Sequence, residues 1–126
     1  MPQPLFSIIT ITYNAATTLP PTLRSVESQT FTNYEYIVVD GASKDDTVAL
    51  VEASTLKARL ISEPDKGWYD AMNKGLKMAT GEYLIFLNAG DAFHAPDTLQ
   101  CIADAIGNNR PGVVYGETAI VDADRN

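Results

Sequence analysis

Four polar stretches carry the side chains with which this sequence could do chemistry: Tyr13-Asn14, Asp40-Gly41-Ala42-Ser43, Glu63-Pro64-Asp65-Lys66-Gly67 and Asn88-Ala89-Gly90-Asp91. At Asp40 a carboxylate meets a turn of small residues, where a ligand has room to approach. Such a carboxylate can accept a hydrogen bond from a base N–H or a ribose hydroxyl, or it can simply cap the next helix. The stretch from Glu63 to Gly67 has the composition of an open binding loop, or of a solvated charged one. Lys74, further on, could meet a phosphate or point into solvent. Asp91 with the amide oxygen of Asn88 offers hard oxygen donors, which suit Mg²⁺ or Mn²⁺ completed by phosphate oxygens and water. The same four residues could equally be a turn in which Asp91 bonds its own backbone. His94, the one histidine, reads as a loop residue.

These stretches fall at the ends of apolar runs, and the runs indicate what must hold them in place. Phe6 to Thr12 is rich in β-branched residues and reads as a strand. Leu19, Leu23 and Val26 recur at helical spacing, with Pro20 and Pro21 tolerable in a first turn. Tyr36 to Val39 is a strand apolar on both faces that ends at Asp40. Ser43 and Asp46 have the spacing of a capping box before a helix that carries Val48 and Val51. Arg59 to Ile61 is a short third strand. Trp68, Met72, Leu76 and Ala79 form one stripe of a helix that stops at Gly81. Tyr83 to Leu87 is a fourth strand and the most apolar of them. Pro96 and Asp97 open a helix with Leu99, Ile102 and Ile106 inward, ended by Gly107. Val113 to Tyr115 begins a fifth strand. Doubly apolar strands alternating with helices predict a doubly wound α/β domain with a mostly parallel sheet and right-handed crossovers. In such sheets ligands bind beyond the carboxyl ends of the strands, where the polar stretches lie.

The composition narrows the class. The chain has 126 residues, 45% apolar and 20% charged, which suits one globular domain with a core of its own. Its net charge is −7 and no basic patch is visible, so nucleic acid is excluded as a general partner. An acidic chain that binds an anionic ligand must supply positive charge locally, through a metal ion, a helix N-terminus or a few lysines. Cys101 is the sole cysteine, which excludes an internal disulfide and reads as a reduced thiol packed like a small apolar residue. The apolar run from Phe6 to Ile11 is too short for a signal or a membrane span. The default location is the cytoplasm, with the inner face of a membrane as the other candidate.

Four segments in this order resemble family 2 glycosyltransferases of the GT-A fold. They are Ser7 to Asn14, Ile37 to Asp45, Ser62 to Gly75 and Gly81 to Asp91, and the third is similar to the bacterial branch that builds polysaccharides and lipopolysaccharide sugars. The resemblance implies that residues 1–126 are a nucleotide-sugar-binding domain, the N-terminal part of a longer glycosyltransferase. It implies that Thr12, Tyr13, Asn14 and Asp40 hold the nucleobase and ribose, and that the loop of Asp65 borders the nucleotide. Asp91 and Asn88 fall at the metal-binding Asp-x-Asp, where the family often reads Asp-x-Asp-Asp, so Asp91 is the one acid left there. The implied reaction moves a sugar, with inversion, from a nucleotide-diphosphate sugar (a UDP-sugar favoured) to a saccharide or lipid-linked acceptor, assisted by Mg²⁺ or Mn²⁺. The catalytic base is unassigned, since in the family it follows the fifth strand. Two alternatives are a nucleotide-sugar-binding module without turnover and a non-enzymatic α/β signalling domain. The second wants acids at the first strand's end, where this chain has Tyr13 and Asn14, and a dehydrogenase wants a Gly-x-Gly-x-x-Gly that is absent.

Overall fold

The computed structural model describes residues 3–109. Strands and helices alternate: β1 (Phe6–Thr12), α1 (Leu19–Glu27), β2 (Tyr34–Asp40), α2 (Thr47–Ala53), β3 (Arg59–Ser62), α3 (Trp68–Met78), β4 (Tyr83–Phe86) and α4 (Thr98–Asn109). All described strand pairs are parallel and the order across the sheet is β3-β2-β1-β4. The chain therefore winds outward from β1 to β3, then crosses back to place β4 on the other side of β1. The doubly wound expectation is met, with the reversal of winding beside β1. The fifth strand expected at Val113 to Tyr115 lies outside the described residues.

Period-two alternation along β1 and β2 supplies two cores. Phe6, Ile8, Tyr36 and Val38 pack with Leu19, Leu23 and Val26 of α1, Val51 of α2, and Leu99 and Ile102 of α4. Ile9, Ile37 and Val39 face the other way, onto Ala71 of α3. Each such aliphatic side chain withdrawn from water contributes about 1.5–3 kcal/mol before conformational entropy is set against it. Tyr36 is buried, and its hydroxyl donates to Thr10 Oγ1 at 2.7 Å, so the polar atom inside this core is satisfied.

The structure departs from the sequence expectations in five places. First, α3 turns Ala71, Gly75 and Met78 toward the sheet, while Met72 is half-buried and Leu76 is exposed. The inward face is one residue out of phase with the stripe of large side chains because helix and sheet approach too closely for bulk. A Cβ on Gly75 would stand 2.7 Å from Ile9 Cγ2. Second, β4 lies at an edge of the described sheet, with Leu84 exposed, so β1 and β2 are the buried strands despite the apolar composition of β4. Third, Ser43 and Asp46 form no capping box, and Asp45 instead accepts from the backbone N–H of Thr47 at 3.0 Å and from its hydroxyl. Fourth, α4 runs through Gly107 to Asn109. Fifth, Cys101 is exposed, because Leu99 and Ile102 take the inward positions of α4.

Candidate donor site at the carboxyl ends of the strands

Three strand ends meet in register: Thr12 of β1 pairs with Asp40 of β2, which pairs with Ser62 of β3. The Asp40 carboxylate is buried and gathers all of them. Its Oδ1 accepts from Thr12 Oγ1 at 2.6 Å and Ser43 Oγ at 2.5 Å. Its Oδ2 accepts from the Ser43 backbone N–H and from Ser62 Oγ, both at 2.8 Å. A carboxylate has about four acceptor sites, and protein donors fill them here. Burial would push the Asp40 carboxyl up, but the hydrogen bonds from Ser43, Thr12 and Ser62 outweigh it and hold the pKa below the ordinary value. Asp40 thus neither presents an open carboxylate to a ligand nor caps α2. It ties three strand ends and the following turn together. The sequence reading took Ser43 as a helix cap and tied neither it nor Ser62 to Asp40, although Ser62 could have been found as the polar terminal residue of a strand beside Asp40.

The loops after β1 and β2 are sewn to one another. Asn14 and Ala42 both take left-handed backbone, with φ of 47° and 63°. Asn14 donates its N–H to Ser43 Oγ at 2.8 Å, and its side-chain oxygen accepts from the Lys44 N–H at 2.8 Å. The next two amides follow suit, Ala15 to Thr47 Oγ1 at 2.8 Å and Ala16 to Asp45 at 3.2 Å. Tyr13, between Thr12 and Asn14, is left 60% exposed, a ring surface on an immobilised backbone.

Beside Tyr13 opens a cavity of about 310 Å³ lined by Ile11, Thr12, Tyr13, Asp65, Gly67 and Ala71. It lies on the α3 side of the sheet at the carboxyl end of β1, where doubly wound sheets take ligands. Of the residues expected to bind substrate, Thr12, Tyr13 and Asp65 share this cavity. Asp65 Oδ1 accepts from the Gly67 N–H at 3.1 Å. Its Oδ2 lies 2.9 Å from where a Cβ on Gly41 would be, with the Tyr13 ring 3.5 Å from the same point. Lys74 is engaged elsewhere: its ammonium donates to Pro64 O at 3.0 Å and pairs with Glu63 at 3.0 Å and Asp70 at 3.7 Å. Desolvation would lower the Lys74 pKa, but Glu63 and Asp70 raise it above the ordinary lysine value. Lys74 braces the loop that carries Asp65.

The turn after β4 does not line the cavity, and α1 holds it. Thr22 on α1 is buried, accepts from the Gly90 N–H at 3.0 Å and donates to Asp91 O at 2.6 Å. Ser25 accepts from the Phe93 N–H at 3.2 Å, and Gln29 donates to Ala95 O at 2.8 Å and accepts from the Leu99 N–H at 3.0 Å. Thr22 and Ser25 on one face of α1, with Gln29 just beyond its end, thus grip the whole segment, a pattern hidden beside a helix chosen for its leucines. Asn88 Oδ1 is buried and accepts no hydrogen bond. That orphaned oxygen, with the Asp91 carboxylate three residues on, fits the hard-donor chemistry of a divalent cation. Among the described residues no group of three or more His, Cys, Asp or Glu could hold a metal. His94 is an exposed loop residue, as expected. Among the described residues no helix is long and apolar enough to cross a membrane.

Known proteins share this arrangement. The family described as Glycosyl transferase family 2 matches residues 7–126. A PGL/p-HBAD biosynthesis glycosyltransferase of Mycobacterium tuberculosis is 44% identical over 122 residues, covering 93% of this chain and 48% of the relative. The chain thus spans about half the length of the curated relatives it matches most strongly. Staphylococcus aureus TarS 1–349 in complex with UDP-GlcNAc superposes with a TM-score of 0.75 and 32% identity, over 83% of this chain and 32% of that one. The mannosyltransferase PcManGT of Pyrobaculum calidifontis, in complex with GDP-Man and Mn²⁺, gives a TM-score of 0.76 and 28% identity, over 86% of this chain and 34% of that one. The fold is that of GT-A glycosyltransferases.

Proposed function

The chain belongs to glycosyl transferase family 2, and from that premise we propose that it forms the donor-binding part of an enzyme that transfers a sugar from a nucleotide-diphosphate sugar to an acceptor hydroxyl. The observation that carries this reading is the cavity at the carboxyl end of β1, where an exposed ring, Tyr13, faces a carboxylate, Asp65. Thr12, Tyr13 and Asn14 support the base and ribose, with Tyr13 offering a flat apolar surface. Asp40 supports them by fixing Thr12. A UDP-sugar is the favoured donor, since TarS is solved with UDP-GlcNAc, although PcManGT is solved with GDP-Man. The acceptor is a saccharide or a lipid-linked saccharide, and the location is the cytoplasm or the inner face of a membrane.

In the transfer an acceptor oxygen bonds to the anomeric carbon as the bond from that carbon to the diphosphate breaks, with inversion. The hydroxyl proton passes to a carboxylate base and the nucleoside diphosphate departs. Asp91 and Asn88 would hold a Mg²⁺ or Mn²⁺, which when bound offsets diphosphate charge. Lys74 steadies the Asp65 loop beside the nucleotide. With Asn88 and Gly90 where the family often has carboxylates, the second reading is a nucleotide-sugar-binding module without turnover.

Calorimetric titration with nucleoside diphosphates, in Mn²⁺ and in EDTA, tests the donor site. Binding that weakens at least tenfold in EDTA supports it together with the cation, and metal-independent binding removes Asp91 and Asn88 from the ligand role. An assay of sugar transfer and donor hydrolysis then separates the enzyme from the module.

A further inference from the structure

With the Asp40 carboxylate saturated by protein donors, the site needs another acceptor if it is to distinguish one base from another, and Gly41 shows where that acceptor is. The Asp65 carboxylate reaches across the β2 end to within 2.9 Å of the point a Gly41 Cβ would occupy. Any side chain at position 41 would displace it. The approach is specific to one oxygen. Oδ1 is spent on the Gly67 N–H, whereas Oδ2 receives no hydrogen bond among the described residues. Lys74, on the helix that follows, is turned to Pro64, Glu63 and Asp70. An acceptor oxygen is thus held in a cavity wall beside the Tyr13 ring, with its loop braced and its second oxygen anchored.

We propose that Asp65, admitted by the missing side chain at Gly41, is the specificity-determining residue of the donor site and selects nucleotides whose base carries a ring N–H. This rests on the donor-site reading above. A carboxylate can only accept. Uracil and guanine present a ring N–H to it, whereas cytosine and adenine present a bare ring nitrogen whose lone pair it repels. The pairs UDP/CDP and GDP/ADP differ at this edge while keeping ring size, so each pair isolates the hydrogen bond from stacking on Tyr13. A site built to hydrogen-bond one group discriminates against the analogue lacking it because its own polar atom is then left unpaired.

The test is calorimetry in Mn²⁺ with UDP, CDP, GDP and ADP on the wild-type chain, Asp65→Asn and Gly41→Ala. The wild type should favour UDP over CDP, or GDP over ADP, by about tenfold to a hundredfold, the range of a hydrogen bond to a charged group. In Asp65→Asn the amide can turn its NH₂ to the bare nitrogen, so the ratio should collapse toward one or reverse. Gly41→Ala leaves the carboxylate chemistry intact but pushes it aside, and should also lower the ratio, with circular dichroism and the melting temperature showing that the fold persists. Equal affinity for both members of every pair that binds overturns the proposal and leaves the donor site standing, as does an unchanged ratio in Asp65→Asn. If no nucleoside diphosphate binds, the donor-site reading fails and the proposal falls with it.

Discussion

A carboxylate that accepts four hydrogen bonds is worth more to the fold than its surroundings in the sequence suggest. Replacing Asp40 by Asn keeps the shape but turns an acceptor into a donor facing Thr12, Ser43 or Ser62. The expected loss of stability is about 1–3 kcal/mol, read by urea denaturation. The pH dependence has a definite sign. The Asp40 carboxyl lies below its ordinary value, as does that of Glu35, which burial would raise but Ser7, Thr80 and Arg59 hold down. In the unfolded chain both take up protons near pH 4, before the folded state does. Their contribution is therefore complete above about pH 4 and lost as pH falls through the lowered folded values. Denaturation midpoints from pH 6 to pH 2 check this, and Asp40→Asn should flatten the decline. At this scale the sequence made Asp40 conspicuous but could not count its partners, because Thr12 and Ser62 join it only through sheet register.

Helix α3 shows what a sequence pattern conveys about an element and what it omits. Its existence and extent follow from spacing, but its inward face does not, since bulk marks a buried face only where two elements stand far enough apart to hold bulk. Here Gly75 lies over Ile9 with no room between them for a Cβ. Helix propensity alone would make Gly75→Ala stabilising by about 1 kcal/mol. The Cβ would meet a methyl on the branched, buried Ile9, so the net effect should instead be a loss of about 1–3 kcal/mol, and a raised melting temperature would contradict the packing argument. On α1, Thr22→Val removes the group that both accepts from Gly90 and donates to Asp91 while keeping shape. It should weaken Mn²⁺-dependent nucleotide binding more than Mn²⁺-independent binding, and Thr22→Ser should restore it. Equal weakening in EDTA and Mn²⁺ would mean that the helix serves only the fold.

For the molecule as a whole, an excess of seven negative charges works against any diphosphate ligand, and the residues lining the cavity include no lysine or arginine. Added EDTA should therefore cost more affinity at low ionic strength than at high, where screening relieves the repulsion. The doubly wound layout was legible because runs apolar on both faces have few other homes; the rank of each strand within the sheet was not, since edge and centre are set by topology rather than composition. That topology also dictates an order of events during folding. β1 pairs with β2 across one helix, but with β4 only after α2, β3 and α3 have intervened. Closing the shorter excursion loses less chain entropy, so the β1–α1–β2 unit should form in the transition state and β4 dock after it. Ile37→Val should then slow refolding, whereas Ile85→Val should chiefly speed unfolding, in stopped-flow experiments. The reverse partition would place the nucleus on the β1–β4 side, and the turn of Asp91 would then be among the first parts of the protein to take shape rather than among the last.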